Sequence, residues 1–129
     1  MTRLYLDTEF NGFGGELISL ALVVPEELTF LDVFYEVCDW KQPTNPWVNE
    51  HVVPKLGKAP LHQRIFRECF HGWIRRFDGP EIICDWHADA EHFCRMLAGP
   101  DYGSSLDFAC RITILRTPPG QHPYPALHP

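Results

Sequence analysis

Hydrophobic and polar positions fall into β-like runs over the first third of the chain and into helical spacing near its middle. Arg3 to Phe10, rich in Leu, Tyr and Thr, predicts a first strand. Asn11-Gly12-Phe13-Gly14-Gly15 follows as a turn cluster with three glycines able to take positive φ. Glu16 to Val24 is almost continuously apolar and stops at Pro25, the pattern of a strand buried on both faces. Thr29 to Val37 predicts a third strand, so the amino terminus reads as an antiparallel three-strand meander. A loop over Asp39 to Pro46 leads to a short helix, Trp47 to Val52, closed off by Pro54.

The clearest helix spans Leu61 to Phe77. Leu61, Ile65, Phe66, Cys69, Phe70, Trp73, Ile74 and Phe77 recur on one wide apolar face. Arg64, Arg67, His71 and Arg75 fall on the other side, where a solvated face is expected ahead of a phosphate-steering stripe. Asp78-Gly79-Pro80 ends it. Glu81 to Trp86 predicts a fourth strand and Asp89 to Ala98 a second long helix, stopped by Gly99-Pro100. Phe108 to Leu115 fits a fifth strand, while Ser104 to Ala109 fits a helix equally well. Residues 118–129 form a proline-rich irregular tail. This order of elements is that of an α/β domain, a mixed sheet with helices packed on it.

At 129 residues the chain suits one domain. The net charge of −6 argues against a protein that coats long nucleic acid, since such binding runs on a basic surface. It leaves room for an enzyme acting on strand ends, where a divalent cation supplies positive charge locally. Five dispersed cysteines without a C-x-x-C, no signal-peptide pattern and no long apolar run make a soluble cytoplasmic protein, with no membrane partner, the expectation.

The chemistry concentrates in carboxylates. Asp7 and Glu9 lie two apart on a strand, so they project from the same face, with Cα atoms roughly 6.5 Å apart. Such a pair can hold one hard cation or bridge two ions about 4 Å apart; the alternative is a pair of solvated acids at an exposed strand end. A second group, Cys84-Asp85-Trp86-His87-Ala88-Asp89, runs from strand to helix. Asp89 fits an N-cap or first-turn acid favoured by the helix dipole, and the same dipole suits a metal ligand. A zinc set of Cys84, His87, His92 and Cys94 has ligand-type residues but not a zinc spacing, and His92 and Cys94 lie about 200° apart around a helix. There is no G-x-S-x-G, Walker loop or dinucleotide fingerprint.

Asp7-Thr8-Glu9-Phe10, its glycine-bearing turn and the strand Glu16-Leu17-Ile18-Ser19-Leu20-Ala21-Leu22-Val23 resemble the first motif of DEDD-type 3′→5′ exonucleases. They are most similar to the small bacterial exoribonucleases related to RNase T and oligoribonuclease. Trp47-Val48 and His51-Val52-Val53-Pro54-Lys55-Leu56 resemble a further segment of that group. Set in the frame of the second motif, H-N-A-x-F-D, Asp89 takes the aspartate's place and Asp85 the asparagine's, which leaves both as candidate ligands with Asp89 preferred. The likeness covers about residues 3 to 98. The third motif, H-x-A-x-x-D or Y-x-x-x-D, has no counterpart: no acid follows His122 or His128, and a chain cut short before its last helix is expected ahead of a degenerate one.

The resemblance implies an RNase H-like α/β fold and two-metal hydrolysis of phosphodiester bonds at the 3′ ends of single-stranded RNA or DNA, with two Mg²⁺ or Mn²⁺ ions. Asp7 would bridge both ions, and Glu9 and Asp89 would each help to hold one. Substrate contacts would fall to Phe10, Asn11, Gly12 and Phe13, although packing roles are expected ahead of stacking for the two phenylalanines. Proteins of this group commonly form homodimers. The missing third motif keeps a second reading open, a catalytically inactive nuclease-fold module that binds nucleic acid or a protein partner.

Overall fold

In a computed structural model of the chain, the described residues are 2–12, 14–25, 32–98 and 108–115. Phe13, the expected strand start at Thr29, the Gly99-Pro100 stop, most of the 104–109 segment and the proline-rich tail with His122 and His128 lie outside them.

The elements run β1 (Arg3–Phe10), β2 (Leu17–Val23), β3 (Val33–Val37), α1 (Pro46–His51), a 3-10 turn (Val53–Lys55), α2 (Gln63–Ile74), β4 (Glu81–Cys84), α3 (His87–Leu97) and β5 (Arg111–Ile114). The five strands form one sheet in the order β3-β2-β1-β4-β5. β1 pairs antiparallel with β2, and β2 with β3. β4 is parallel to both β1 and β5. The molecule is therefore an α/β protein with a mixed sheet flanked by helices.

Alternation along β1 divides the two layers. Leu4, Leu6 and Thr8 are buried. Beside them, Leu20 and Leu22 of β2 and Ile82 and Cys84 of β4 continue the same face, which packs against Phe66, Phe70 and Ile74 of α2 and Phe93 and Met96 of α3. Phe66, Phe70 and Phe93 are fully buried, each contributing about 1.5–3 kcal/mol through apolar area removed from water. The opposite face carries a smaller cluster, Ile18 and Val37 from the sheet against Val48, Val52 and Leu56. β2 is buried along both faces because it lies between two strands and under both layers, as its apolar run predicts.

The helices depart from the sequence expectation in instructive ways. α2 starts at Gln63 because Leu61 is drawn into a bridge with Cys38, its N–H donating to Val37 and its carbonyl accepting from Asp39, each at 2.8 Å. It ends at Ile74, and Arg76 and Phe77 close tighter turns beyond it. Its polar side is not uniformly solvated. His71 Nε2 lies 2.8 Å from the Met96 carbonyl of α3, and the Arg67 Nε is buried. A neighbouring helix makes that difference, and the period of one helix cannot reveal it. Cys69, placed on the apolar face by spacing, is exposed. α1 ends at His51, ahead of Pro54 as expected, and Pro54 itself sits inside the 3-10 turn. Residues 108–110 have no regular structure before β5, which is the strand alternative for this segment. Among the described residues no helix is long and apolar enough to cross a membrane.

Candidate functional site

Strand register builds the site. Asp7 pairs with Ala21, which pairs with Tyr35; Glu9 pairs with Ser19, which pairs with Val37. Two rows thus cross the sheet on the face away from α2 and α3. In each row the β2 member is small. Ser19 and Ala21 leave a hollow beside the two acids where a leucine would fill it. α1 and the 3-10 turn roof this hollow, making a cleft of about 360 Å³ whose walls include Asp7, Glu9, Tyr35, Trp47, His51 and Lys55. Both carboxylates of the D-x-E pair therefore face one cavity.

A short chain of hydrogen bonds fixes the roof. Asn11 Oδ1 accepts from the Asn45 N–H at 3.0 Å, and Asn11 Nδ2 donates to the Pro43 carbonyl at 2.9 Å. Asn45 then caps α1, its Oδ1 accepting from Val48 N–H at 2.9 Å. Glu16 secures the same loop by accepting from the N–H groups of Lys41 and Gln42, the latter at 2.7 Å. Gly12 has φ +75°, and a Cβ there would stand 2.6 Å from Asn45 Nδ2, so a side chain at this position would be strained and would push the capping amide aside. On the far wall Tyr35 donates its hydroxyl to the Leu56 carbonyl at 2.7 Å. Burial raises the Tyr35 pKa above its usual value, a hydrogen bond with Ser19 opposes this, and Glu9 and Glu36 raise it further, so the phenol stays protonated.

The roof carries side chains that the sequence reading did not assign. Trp47 and His51, one helical turn apart, pack with ring centroids 4.9 Å apart and planes tilted by 37°, and Trp47 is 63% exposed. The pair forms an aromatic wall at the mouth of the cleft, with Lys55 adding a cation. The signal for these residues lay in the 47–56 segment, and that for the hollow in Ser19 and Ala21, two small residues at the D-x-E spacing within a run of large ones.

The remaining candidates are placed elsewhere. Phe10 packs on His92 of α3, with ring centroids 5.1 Å apart. Asn11 and Gly12 are committed to the turn and the α1 cap. Asp89 lies in the first turn of α3, whose N-cap is Trp86 and lacks a side-chain cap bond, so it is not the N-cap. Its carboxyl is buried and reaches β1 from the Leu4–Leu6–Thr8 side. Asp89 Oδ1 accepts from Thr8 Oγ1 at 2.5 Å and from Thr8 N–H at 3.2 Å. Burial pushes the Asp89 pKa up to about 7; the Thr8 bonds oppose this, and the charges of Asp7 and Asp85 add to it. Asp85 is the first residue past β4, and counting two steps on from the Tyr5–Ile83 pair brings it level with Asp7.

Among the described residues no set of three or more His, Cys, Asp and Glu side chains is arranged to hold one metal ion. Neither Asp85 nor Asp89 therefore completes a three-ligand set with Asp7 and Glu9, and the zinc candidates do not gather. Cys84 is buried, Cys94 is exposed, and His92 is packed on Phe10. The donors present fit a single hard divalent cation on two carboxylates, a ligation typical of ions that keep several waters. No protein-family model matches this chain, and a search of curated proteins finds no match either.

Proposed function

We propose that this chain is a metal-dependent 3′→5′ exonuclease of RNase H-like fold, hydrolysing phosphodiester bonds at the 3′ ends of RNA or other short single strands. The observation that carries this reading is the convergence of Asp7 and Glu9 on one cleft beside an aromatic wall. Two carboxylates facing a cavity repel each other and repel a phosphate; a bound Mg²⁺ or Mn²⁺ removes both conflicts and supplies Lewis-acid activation of water. Asp7 and Glu9 would hold that ion. The second ion that the resemblance implies would need a further carboxylate, and Asp89 could join only by leaving Thr8. In the present arrangement Asp89 acts as a positioning residue, holding the strand at the residue between the two acids.

The chain's own groups supply the rest. Trp47 and His51 offer a face on which a base or sugar rests, as aromatic side chains do for single strands. Lys55 meets the phosphate backbone. The His51 imidazole is the histidine on the cleft wall and can accept a proton from water. The test is a 5′-labelled single-stranded RNA incubated with the chain and Mn²⁺. Stepwise shortening from the 3′ end that Asp7→Asn abolishes supports the reading, and shortening unchanged in that variant rejects it.

One observation favours the alternative, an inactive nuclease-fold module. The Asp89 carboxyl is sequestered by Thr8, and no third acid joins the pair among the described residues. Retention of the RNA by the wild-type chain in Mn²⁺, with no shortened product, would select that alternative.

A further inference from the structure

A second cavity, of about 180 Å³, opens on the opposite face of the sheet between α2 and α3. Its walls bring together Gln63 and Arg67 of α2 with His92 and Arg95 of α3, while Glu16 and Cys38 close the side nearest the sheet. From these groups we propose an oxyanion-binding site for a phosphate-sized ligand, centred on the Arg67 guanidinium.

The Arg67 Nε is buried without a hydrogen-bond partner, and the residue forms no ion pair among the described residues. A guanidinium cannot relieve this by losing its proton, and a buried orphan N–H in a folded protein calls for a specific explanation. The neighbouring anions are engaged elsewhere. Glu16 accepts from the Lys41 and Gln42 N–H groups, and Glu91 takes Arg95 Nη2 at 2.6 Å. The Cys38 thiol does not neutralise Arg67 either, because burial holds its pKa at about 11 despite the nearby arginine.

The donors left facing the cavity suit an oxyanion. Arg67 lines the cavity, and Arg95 retains donors beyond the one given to Glu91. The Gln63 amide adds another. His92 is 5% exposed and its ring lines the cavity. Burial, and secondarily Arg95, lower its pKa, so near neutral pH it is an uncharged imidazole with one N–H to give. A planar guanidinium fork with added N–H donors is the arrangement that binds phosphate or carboxylate through charge-assisted hydrogen bonds.

The test uses the full chain without divalent metal, so its outcome does not depend on the Asp7 cleft. Inorganic phosphate is titrated at constant ionic strength against chloride, and the Arg67 and Arg95 Nε–H resonances are followed by NMR, with Arg95 as the reporter in the Arg67 variant. The expected result is a saturable, phosphate-specific shift with a Kd on the order of 1 mM, retained in Asp7→Asn and weakened at least about tenfold in Arg67→Gln. An Arg67 resonance that does not move in the wild-type chain, or that moves equally with chloride, overturns the proposal. Should Arg67→Gln fail to fold, Arg95→Gln is the substitute: weaker phosphate binding supports the site, and unchanged affinity counts against it.

Discussion

Thr8 donates both its hydroxyl and its backbone N–H to one oxygen of Asp89, a residue 81 positions further along the chain. The contact joins the first turn of α3 to the middle of the D-x-E segment, from the face opposite the two acids. Thr8 is thus the residue through which the helical layer fixes the angle at which Asp7 and Glu9 enter their cleft. A threonine between two acids is uninformative as a motif letter. In the fold it is the anchor of the site.

Replacing Thr8 with valine keeps the shape and removes the hydroxyl. The Asp89 carboxyl then retains only the backbone donor while still buried. Unfolding in urea is expected to show a loss of about 1–3 kcal/mol, the range for leaving a buried polar group under-satisfied. A midpoint unchanged from the parent would show that the Asp89 contact holds nothing.

The same carboxyl predicts a pH dependence. Its folded pKa of about 7 lies above the ordinary value of 3.8, so between these limits the folded chain binds more protons at this site than the unfolded chain. Stability from this group is therefore complete below about pH 4 and is lost as pH rises through about 7. Asp89→Asn is expected to flatten that decline in unfolding free energies measured from pH 4 to 8. An identical slope in the variant would assign the pH dependence to other groups.

The Asn45 cap offers a third check. Asn45→Ala removes the acceptor for Val48 N–H and is expected to cost about 1 kcal/mol. Gly12→Ala disturbs the same junction from the other side, through a positive φ and a contact at 2.6 Å. Both variants should weaken divalent-cation binding by loosening the roof that bears Trp47 and His51. Cation affinity equal to the parent's in both would separate the roof from the site.

Much of this architecture was legible in the residues. β1 and β2 follow from β-branched and apolar runs bounded by glycine and proline, and alternation alone places Asp7 and Glu9 on one face. What the sequence could not convey is contact between distant segments. The bond between Asp89 and Thr8 requires α3 to lie over β1. Asn11 and Gly12 read as substrate contacts, and nothing in the residue string shows that both also meet Asn45. Arg67 and His71 look solvated because α3 cannot be inferred from the period of α2. The 47–56 segment carried a resemblance, but its position over the acids depends on the cap and on Val48, Val52 and Leu56 packing against Ile18 and Val37.

Filling the hollow tests the cleft without touching an acid. Ala21→Leu extends a side chain between Asp7 and Tyr35 from a half-buried position, and stability is expected to stay within about 1 kcal/mol of the parent. Binding of single-stranded RNA in the presence of Mn²⁺ should fall at least about tenfold, which corresponds to roughly 1.4 kcal/mol. RNA affinity unaltered by the leucine would place the nucleic-acid surface elsewhere.

In the proposed function, Asp7 and Glu9 hold a divalent cation in this cleft. Calorimetric titration of Mn²⁺ into the wild-type chain and into Asp7→Ala measures it directly. Saturable binding by the wild type that disappears in the variant is the predicted result. No saturable binding by the wild type, or equal binding by both chains, would contradict it.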